Sequence, residues 1–175
     1  MRRAALVLGL GFSLALCAAP RSALAFEREW HLGVGGGVAN GTSLSLSPAL
    51  SAYAAYGLSD VFDARVELTA RGYHAGSDQN PNALSAMVGV AYKLDVLRWV
   101  PWAGVYAGYL GFLEAPRAGL PFKRHDAALG LGLGLDYGIS RKLGVGVTLR
   151  FDNALVDSNA RTFDALLRAE YRWGW

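Results

Sequence analysis

The sequence predicts an all-β fold: an up-and-down antiparallel barrel of eight transmembrane strands that follows a cleaved N-terminal signal peptide. Three observations predict it. The first 25 residues have the layout of an export signal. The rest of the 175-residue chain alternates apolar and polar residues with a period of two. The connections between the alternating segments are alternately long and short, as expected for a barrel with short turns at one end and longer loops at the other.

The chain opens with a segment typical of exported proteins. Arg2 and Arg3 give it a positive start, residues 4–19 form an apolar run, and Ala23 and Ala25 form a small-x-small cleavage site. The apolar run of 16 residues is shorter than the roughly 20 residues that a spanning helix needs. We therefore expect cleavage after Ala25.

Cleavage would divide the chain into a signal peptide, residues 1–25, and a barrel domain, residues 26–175. The formal charge of +3 belongs to the signal, because its three arginines leave 14 basic and 14 acidic residues beyond it. That balance excludes the basic surface of a nucleic-acid-binding protein. The single cysteine, Cys17, also lies in the signal, so the mature chain has no disulfide. A lipoprotein signal at Cys17 is the alternative, but Leu16 fits such a signal poorly.

The mature chain alternates in eight segments, as half-buried strands do. In residues 62–71, apolar side chains such as Val66 and Leu68 share one face and charged side chains share the other. The eight predicted strands cover residues 30–38, 48–57, 62–71, 84–93, 101–112, 129–137, 143–152 and 163–175. For residues 101–112 both faces are apolar, so the pattern leaves open which face meets lipid.

The lengths of these strands and of their connections favour a membrane barrel. The strands have about 9–14 residues, whereas globular strands average about 5–6 and membrane-crossing strands need about 9–11. The predicted connections cover residues 40–46, 58–60, 74–82, 95–100, 113–124, 140–142 and 153–162. We therefore expect both termini and the short turns on the periplasmic side, and the long loops outside the cell.

Alternation alone does not decide whether the apolar face points out of the barrel. A secreted lipocalin would turn that face inward around a ligand. Glycine on the polar face and aromatic residues near the strand ends favour lipid outside. Turning the third strand over would place Asp63, Arg65, Glu67 and Arg71 in lipid, at a cost on the order of 10 kcal/mol. We therefore expect the polar face inside.

The repeated strands, the turn at residues 56–60 and the aromatic C-terminus resemble the small eight-stranded outer-membrane barrels of the OmpA transmembrane-domain, OmpX and OmpW kind. The resemblance covers nearly all of residues 28–175. It implies an outer-membrane location, contact with outer-membrane lipid and lipopolysaccharide, and a monomer. Tyr171, Trp173 and Trp175 resemble the C-terminal signal by which the barrel-assembly machinery recognises such proteins.

The interior of an eight-stranded barrel is narrow enough for side chains to fill it, so a wide pore is not expected. Twelve charged side chains are predicted to face this lumen, six of each sign: Asp63, Arg65, Glu67, Arg71, Lys93, Asp136, Arg150, Asp152, Asp164, Arg168, Glu170 and Arg172. A balanced set predicts a plug of ion pairs rather than a lumen selective for one sign of charge. Inward glycines on the first and seventh strands are predicted to leave room for the side chains of the last strand; they are Gly33, Gly35, Gly37, Gly144 and Gly146.

Three functions of different classes fit this plan. The first, which we prefer, is a structural or surface barrel; the second is a narrow transporter of small or hydrophobic solutes, as in the OmpW group. The third is a lipid A-modifying enzyme, because deacylases and palmitoyltransferases resemble this fold. Its candidate residues at the outer rim are His74 with Ser77 and Asp78, and His125 with Asp126. There is no His-x-Ser pair of the deacylase type, so no catalytic residue is assigned.

No cofactor, metal or nucleic acid is expected to bind. The glycine-rich segments at residues 33–37 and 130–134 complete no phosphate-binding motif and open no helix. The rim histidines and aspartates lack the spacing of a known metal site. His31, at the periplasmic end of the first strand, is expected to be a lumen residue with polar partners.

Overall fold

The computed structural model describes residues 28–41, 44–72, 82–94, 98–113, 125–156 and 160–174. The strands in these ranges are β1 (Trp30–Gly41), β2 (Leu44–Gly57), β3 (Phe62–Gly72), β4 (Asn82–Lys93), β5 (Trp99–Phe112), β6 (His125–Gly138), β7 (Leu143–Ala154) and β8 (Arg161–Trp173). Within the described residues, no helix is long and apolar enough to cross a membrane.

The eight strands form one closed antiparallel barrel. Each strand pairs with the next in the chain, and β8 pairs with β1 to close the ring. The closing pair places Trp30 opposite Trp173 and Gly35 opposite Arg168. Closure of this kind removes the free edges that an open sheet would expose. The predicted eight-stranded up-and-down barrel is confirmed.

Alternate residues of each strand point into the barrel and out of it, because successive side chains leave a strand on opposite faces. On β3, Asp63 is fully buried in the interior, whereas Val66 is 55% exposed on the outside. Leu50 on β2 and Leu167 on β8 are 68% and 69% exposed. The polar face is therefore inside and the apolar face outside, as the energetic argument predicts.

β5 is the strand whose orientation the sequence leaves open. The structure turns Trp102, Tyr106 and Leu110 into the lumen, where all three are buried. Val105 and Tyr109 point outward and are 63% and 40% exposed. The Trp102 and Tyr106 rings lie against arginine side chains of the lumen. These contacts, rather than the polarity of the rings themselves, account for the inward orientation.

The barrel has two different ends, which we name by their connections. The turn end carries the connections at residues 58–61, 94–98 and 139–142, and the loop end carries those at 42–43, 73–81, 113–124 and 155–160. The first loop-end connection is shorter than predicted, because β1 and β2 extend into residues 40–46 and leave only two residues between them. The paired ladder continues to Gly41 and Leu44 after a register shift beyond Ala39.

A belt of aromatic rings surrounds the outside of the turn end. The Trp30 ring lies near those of Tyr56 and Trp173, with centroid separations of 4.9 Å and 6.4 Å. Further pairs along the belt are Phe62 with Tyr92, and Trp99 with Tyr137. Belts of this kind lie at the boundary between lipid and water in membrane barrels.

Candidate functional site

The charged interior of the barrel is the candidate site. All twelve side chains predicted to face the lumen are buried in it, and they form two clusters. The loop-end cluster contains Glu67, Arg71, Arg150, Asp152 and Asp164. The turn-end cluster contains Asp63, Arg65, Lys93, Asp136, Arg168, Glu170 and Arg172.

Arg71 on β3 is the centre of the loop-end cluster. Its Nε donates to Asp164 Oδ1 at 2.7 Å and its Nη2 to Asp164 Oδ2 at 2.5 Å, a two-pronged ion pair. Nη2 also donates to Asp152 Oδ2 at 2.8 Å, and Nη1 donates to Ser85 Oγ at 2.9 Å. The Arg71 side chain has no exposed surface, so these hydrogen bonds are made away from bulk water.

Arg150 on β7 extends the loop-end cluster across the barrel. Its Nε donates to Asp152 Oδ1 at 2.7 Å and its Nη1 to Glu67 Oε2 at 2.8 Å. Its guanidinium carbon lies 3.8 Å from the centre of the Tyr106 ring. β3 and β7 stand on opposite walls in the ring of eight strands. The pairs Arg71–Asp152 and Arg150–Glu67 therefore cross the lumen in opposite directions.

The ion pairs of the turn-end cluster do not join opposite walls of the barrel. Lys93 Nζ lies 2.6 Å from Asp63 Oδ1, and Arg65 Nη2 lies 3.4 Å from Asp63 Oδ2. Arg168 Nη2 donates to both carboxylate oxygens of Asp136 at 2.6 Å. These pairs connect β3 with β4 and β6 with β8, so they stabilise the wall near the turn end rather than span the full lumen.

Glu170 on β8 collects three polar neighbours at the turn end. It accepts hydrogen bonds from the Tyr53 hydroxyl at 2.5 Å and from Arg172 Nε at 2.6 Å. His31 Nδ1 lies 3.1 Å from Glu170, and His31 Nε2 lies 3.6 Å from Glu29. Burial raises the pKa of the Glu29 carboxyl, an effect that His31 and Arg172 oppose. His31 is thus a lumen residue with carboxylates on both sides.

Two aromatic rings support the arginines of the turn-end cluster. The Arg65 guanidinium carbon lies 4.1 Å from the centre of the Trp102 ring. That of Arg168 lies 4.6 Å from the Tyr53 ring and 4.8 Å from the Trp102 ring. Such cation–π contacts stabilise a charge whose hydration is lost. Alternation alone did not indicate these aromatic contacts; the available signal was an aromatic residue in phase with the polar face, as Tyr53 is with Ser51.

One inward glycine makes room for a β8 side chain, as predicted. A Cβ added at Gly144 would lie 3.2 Å from Arg172 Nη2. At Gly35 the nearest atom would be Ser51 Oγ of β2 at 2.7 Å, followed by the Leu167 carbonyl oxygen at 3.2 Å. Gly144 therefore allows the Arg172 side chain to lie along the lumen, whereas Gly35 mainly leaves space for Ser51.

The other inward glycines of β1 and β7 face different neighbours, which corrects the sequence interpretation. A Cβ at Gly33 would overlap the Tyr53 ring, and one at Gly146 would overlap the Asp136 carboxylate. At Gly37 the obstacle is the backbone of β8. The pairing register explains the difference. Each strand has a neighbouring strand on both sides, and the residue that occupies the space beside a glycine can come from either neighbour.

The lumen contains two more carboxyl groups than predicted. Glu29 and Asp126 are only 6% and 7% exposed, so the described lumen has eight acidic and six basic buried side chains. Glu29 precedes β1 by one residue, and Asp126 is the second residue of β6. Both lie outside the strands that alternation predicts, which is why they were not included. With them, the described interior has more acidic than basic side chains.

The candidate rim residues of an enzyme are only partly described. His125 is exposed at the start of β6, where its Nδ1 shares a hydrogen bond with the Tyr109 hydroxyl. Asp126 is buried on the other face and accepts a hydrogen bond from the Val156 N–H at 3.2 Å. The structure does not bring His125 and Asp126 together as a catalytic pair. Outside the described residues lie His74, Ser77 and Asp78.

Two other predicted features concern the chain ends. Tyr171 and Trp173 lie on the outer face of β8, with ring centroids 6.0 Å apart. Trp175, Ala23 and Ala25 lie outside the described residues, so the assembly signal and the cleavage site stay predictions. In the described part of the chain, no group of three or more His, Cys, Asp or Glu side chains is placed to hold a metal ion.

The chain is similar to known proteins in fold, but no match to it was found by sequence. No protein-family model matches the chain, and no curated protein matches it. Neisserial surface protein A (NspA) is 13% identical with a TM-score of 0.71, covering 82% of this chain and 97% of that one. The N-terminal β-barrel domain of Pseudomonas aeruginosa OprF is 12% identical with a TM-score of 0.62, covering 84% and 98%. The outer membrane enzyme PagL is 13% identical with a TM-score of 0.58, covering 79% and 97%.

Identities this low carry information about the fold and not about a shared activity. The match extends over nearly the whole length of each solved chain. It covers 79–84% of this chain, which forms a closed barrel of eight strands. The chain therefore has the fold of the small outer-membrane β-barrels that its sequence resembles.

Proposed function

We propose that this protein is an integral outer-membrane β-barrel with a structural or surface role and a lumen closed by ion pairs. The observation that carries the proposal is the pair of hydrogen-bonded contacts that cross the lumen, Arg71 with Asp152 and Arg150 with Glu67. The likeness in fold to an outer membrane enzyme and to the barrel domain of OprF supports the location.

The outer wall supports insertion into lipid. Its exposed side chains are leucines, valines and alanines between the two ends of the barrel. Among the described strand residues that point outward, the basic side chains are those of His125 and Arg161, and each is the first residue of its strand, at the loop end. A charged side chain at the bilayer midplane costs roughly 2–4 kcal/mol. The described wall avoids that cost.

The lumen supports a closed barrel rather than a transporter. Transport through so narrow a lumen would require the crossing pairs to separate. Removing one partner of a buried pair costs about 3–5 kcal/mol. Arg71 holds two carboxylates at once, so its displacement breaks several charge-assisted hydrogen bonds together.

The proposed orientation and partners follow from the same barrel. The turn end, with its aromatic belt and short connections, faces the periplasm, and the loop end faces outward. The outer wall contacts membrane lipid and, in the outer leaflet, lipopolysaccharide. β8, which ends in Tyr171 and Trp173, is the segment offered to the barrel-assembly machinery. The barrel acts as a monomer and uses no cofactor.

Gel mobility of the outer-membrane fraction tests the location and the fold together. We expect the protein in that fraction to migrate at different positions in SDS before and after boiling, because a folded barrel resists SDS until it is heated. Recovery as a soluble periplasmic protein with no such shift would contradict the proposal. It would point instead to a lipocalin-like protein with a hydrophobic ligand.

Planar-bilayer recording tests the closed lumen. The wild-type barrel is expected to give no unitary conductance after its insertion has been verified by the mobility shift. Arg150→Ala removes a side chain that crosses the lumen, and we expect it to introduce channel steps. Arg161→Ala changes an exposed residue at the loop end and is expected to stay silent. Reproducible steps from the wild type would favour the transporter of small solutes.

A further inference from the structure

The outer wall is not uniform: a shallow apolar valley of about 650 Å³ runs along it near the turn end. Its lining combines three alanines, Ala52 and Ala54 on β2 and Ala169 on β8, with leucine and valine side chains of β1, β3 and β7. The short alanine side chains beside the longer ones leave a depression in the wall that can receive an extended apolar chain.

Basic side chains stand at the turn-end limit of this valley. Ile139 and Leu143 line it and flank the β6–β7 turn, on which Arg141 and Lys142 are exposed. The Lys142 carbonyl accepts a hydrogen bond from the Arg172 N–H at 2.9 Å. This contact fixes the basic turn beside β8, which forms part of the valley.

The acidic groups nearest to this end of the valley are directed elsewhere. Glu170 is buried in the lumen, where Arg172 and the Tyr53 hydroxyl bind its carboxylate. Glu29 is buried beside His31. On the other side of the valley, the β2–β3 turn carries the half-buried Asp60. At the β6–β7 turn, the exposed charge of the described residues is positive.

We propose that the valley and the basic turn together bind an anionic phospholipid, with an acyl chain along the valley and the phosphate against Arg141 and Lys142. The inference rests on the proposed function, because the valley meets lipid only if the barrel spans a membrane. Van der Waals packing of an acyl chain against the valley and attraction of a phosphate to two cations are independent contributions, and the first is not a hydrophobic gain because the membrane already keeps both surfaces out of water. Each basic residue close to an anionic membrane surface is worth about a fivefold preference for the anionic lipid.

Lipid retention tests the proposal directly. The full-length mature barrel is refolded into vesicles of equal parts phosphatidylcholine and phosphatidylglycerol, extracted into mild detergent and examined by native mass spectrometry. Wild-type protein is expected to retain phosphatidylglycerol several-fold over its share in the vesicle. Arg141→Gln with Lys142→Gln is expected to return the ratio to that of the vesicle.

Two matched controls separate this site from a general effect of the rim or the wall. Arg98→Gln removes an exposed cation from the β4–β5 connection and is expected to leave the enrichment unchanged. Ala54→Leu fills the valley and is expected to reduce retention of both lipids. Ala107→Leu, an exposed alanine on β5 outside the valley, is expected to keep wild-type retention.

The outcomes distinguish this inference from the proposed function. Failure of the wild type to insert into any vesicle, judged by its mobility shift, would overturn the proposed function. Insertion with equal phosphatidylglycerol retention in wild type and the Arg141 and Lys142 double variant would overturn the lipid site alone. A dimer that Ala54→Leu abolishes would also overturn it, by assigning the valley to a second copy of the chain.

Discussion

Replacing Arg71 by methionine is expected to destabilise the barrel by about 3–5 kcal/mol, the cost of removing one partner from a buried ion pair. Methionine keeps an unbranched apolar chain but has no donor, so Asp164 loses its hydrogen bonds of 2.7 Å and 2.5 Å to the guanidinium. Asp152 keeps its 2.7 Å bond to Arg150. One carboxylate is therefore left without its cation in the lumen, and that desolvated charge dominates the effect.

The free energy of unfolding in urea, followed by tryptophan fluorescence in lipid vesicles, measures this loss. Arg161→Met is the matched control, because Arg161 is exposed at the loop end of β8. A surface change of this kind is expected to stay within about 0.5 kcal/mol of the wild type. Similar free energies for the Arg71 and Arg161 variants would contradict the crossing ion pairs as a source of stability.

A second substitution keeps the test informative if Arg71→Met does not fold. Adding Asp164→Asn removes the stranded negative charge while keeping the shape of the side chain. We expect the double variant to recover part of the loss, with a coupling of about 0.5–3 kcal/mol between the two positions. No recovery would mean that Arg71 acts through its other partners, Asp152 and Ser85.

Alternation predicts which way a side chain points but not which partner it meets. On β3 the alternation of polar with apolar side chains is unbroken, so the lumen face is evident from the sequence. β5 has apolar residues on both faces. Only the structure shows that Trp102 faces the lumen, where its ring lies against the Arg65 guanidinium. Orientation is a local property of the strand, whereas the partner depends on the barrel.

The crossing pairs show why the site itself could not be predicted in full. Arg150 and Glu67 are 83 residues apart, and Arg71 and Asp164 are 93 apart. Which charges share a depth depends on the tilt and stagger of strands in the closed ring, and alternation contains no information about either. The sequence therefore predicts twelve of the buried charged side chains, but not Glu29 and Asp126 at the strand ends and not the division into two clusters.

Replacing Gly146 by leucine is expected to reduce the yield of folded barrel to background. An added Cβ would overlap the Asp136 carboxylate and would lie 2.6 Å from the Leu135 carbonyl oxygen. Backbone cannot move aside without breaking the β6–β7 ladder, in which Gly146 pairs with Asp136. Overpacking alone costs about 1–3 kcal/mol, and displacing Asp136 from Arg168 adds the cost of a broken buried pair, about 3–5 kcal/mol.

Leucine at two further glycine positions is expected to impair folding less, because more space surrounds those glycines. At Gly35 an added Cβ would lie 2.7 Å from Ser51 Oγ, the end of a side chain, so Gly35→Leu is expected to impair folding less than Gly146→Leu. At Gly36 the nearest atom would be Leu50 Cδ2 at 3.6 Å, an ordinary contact on the outer wall, so Gly36→Leu is expected to fold like the wild type. The fraction of heat-modifiable protein in refolding reactions measures all three. Equal yields from the Gly146 and Gly36 variants would show that the interior has room for a side chain, which a lumen filled by ion pairs does not.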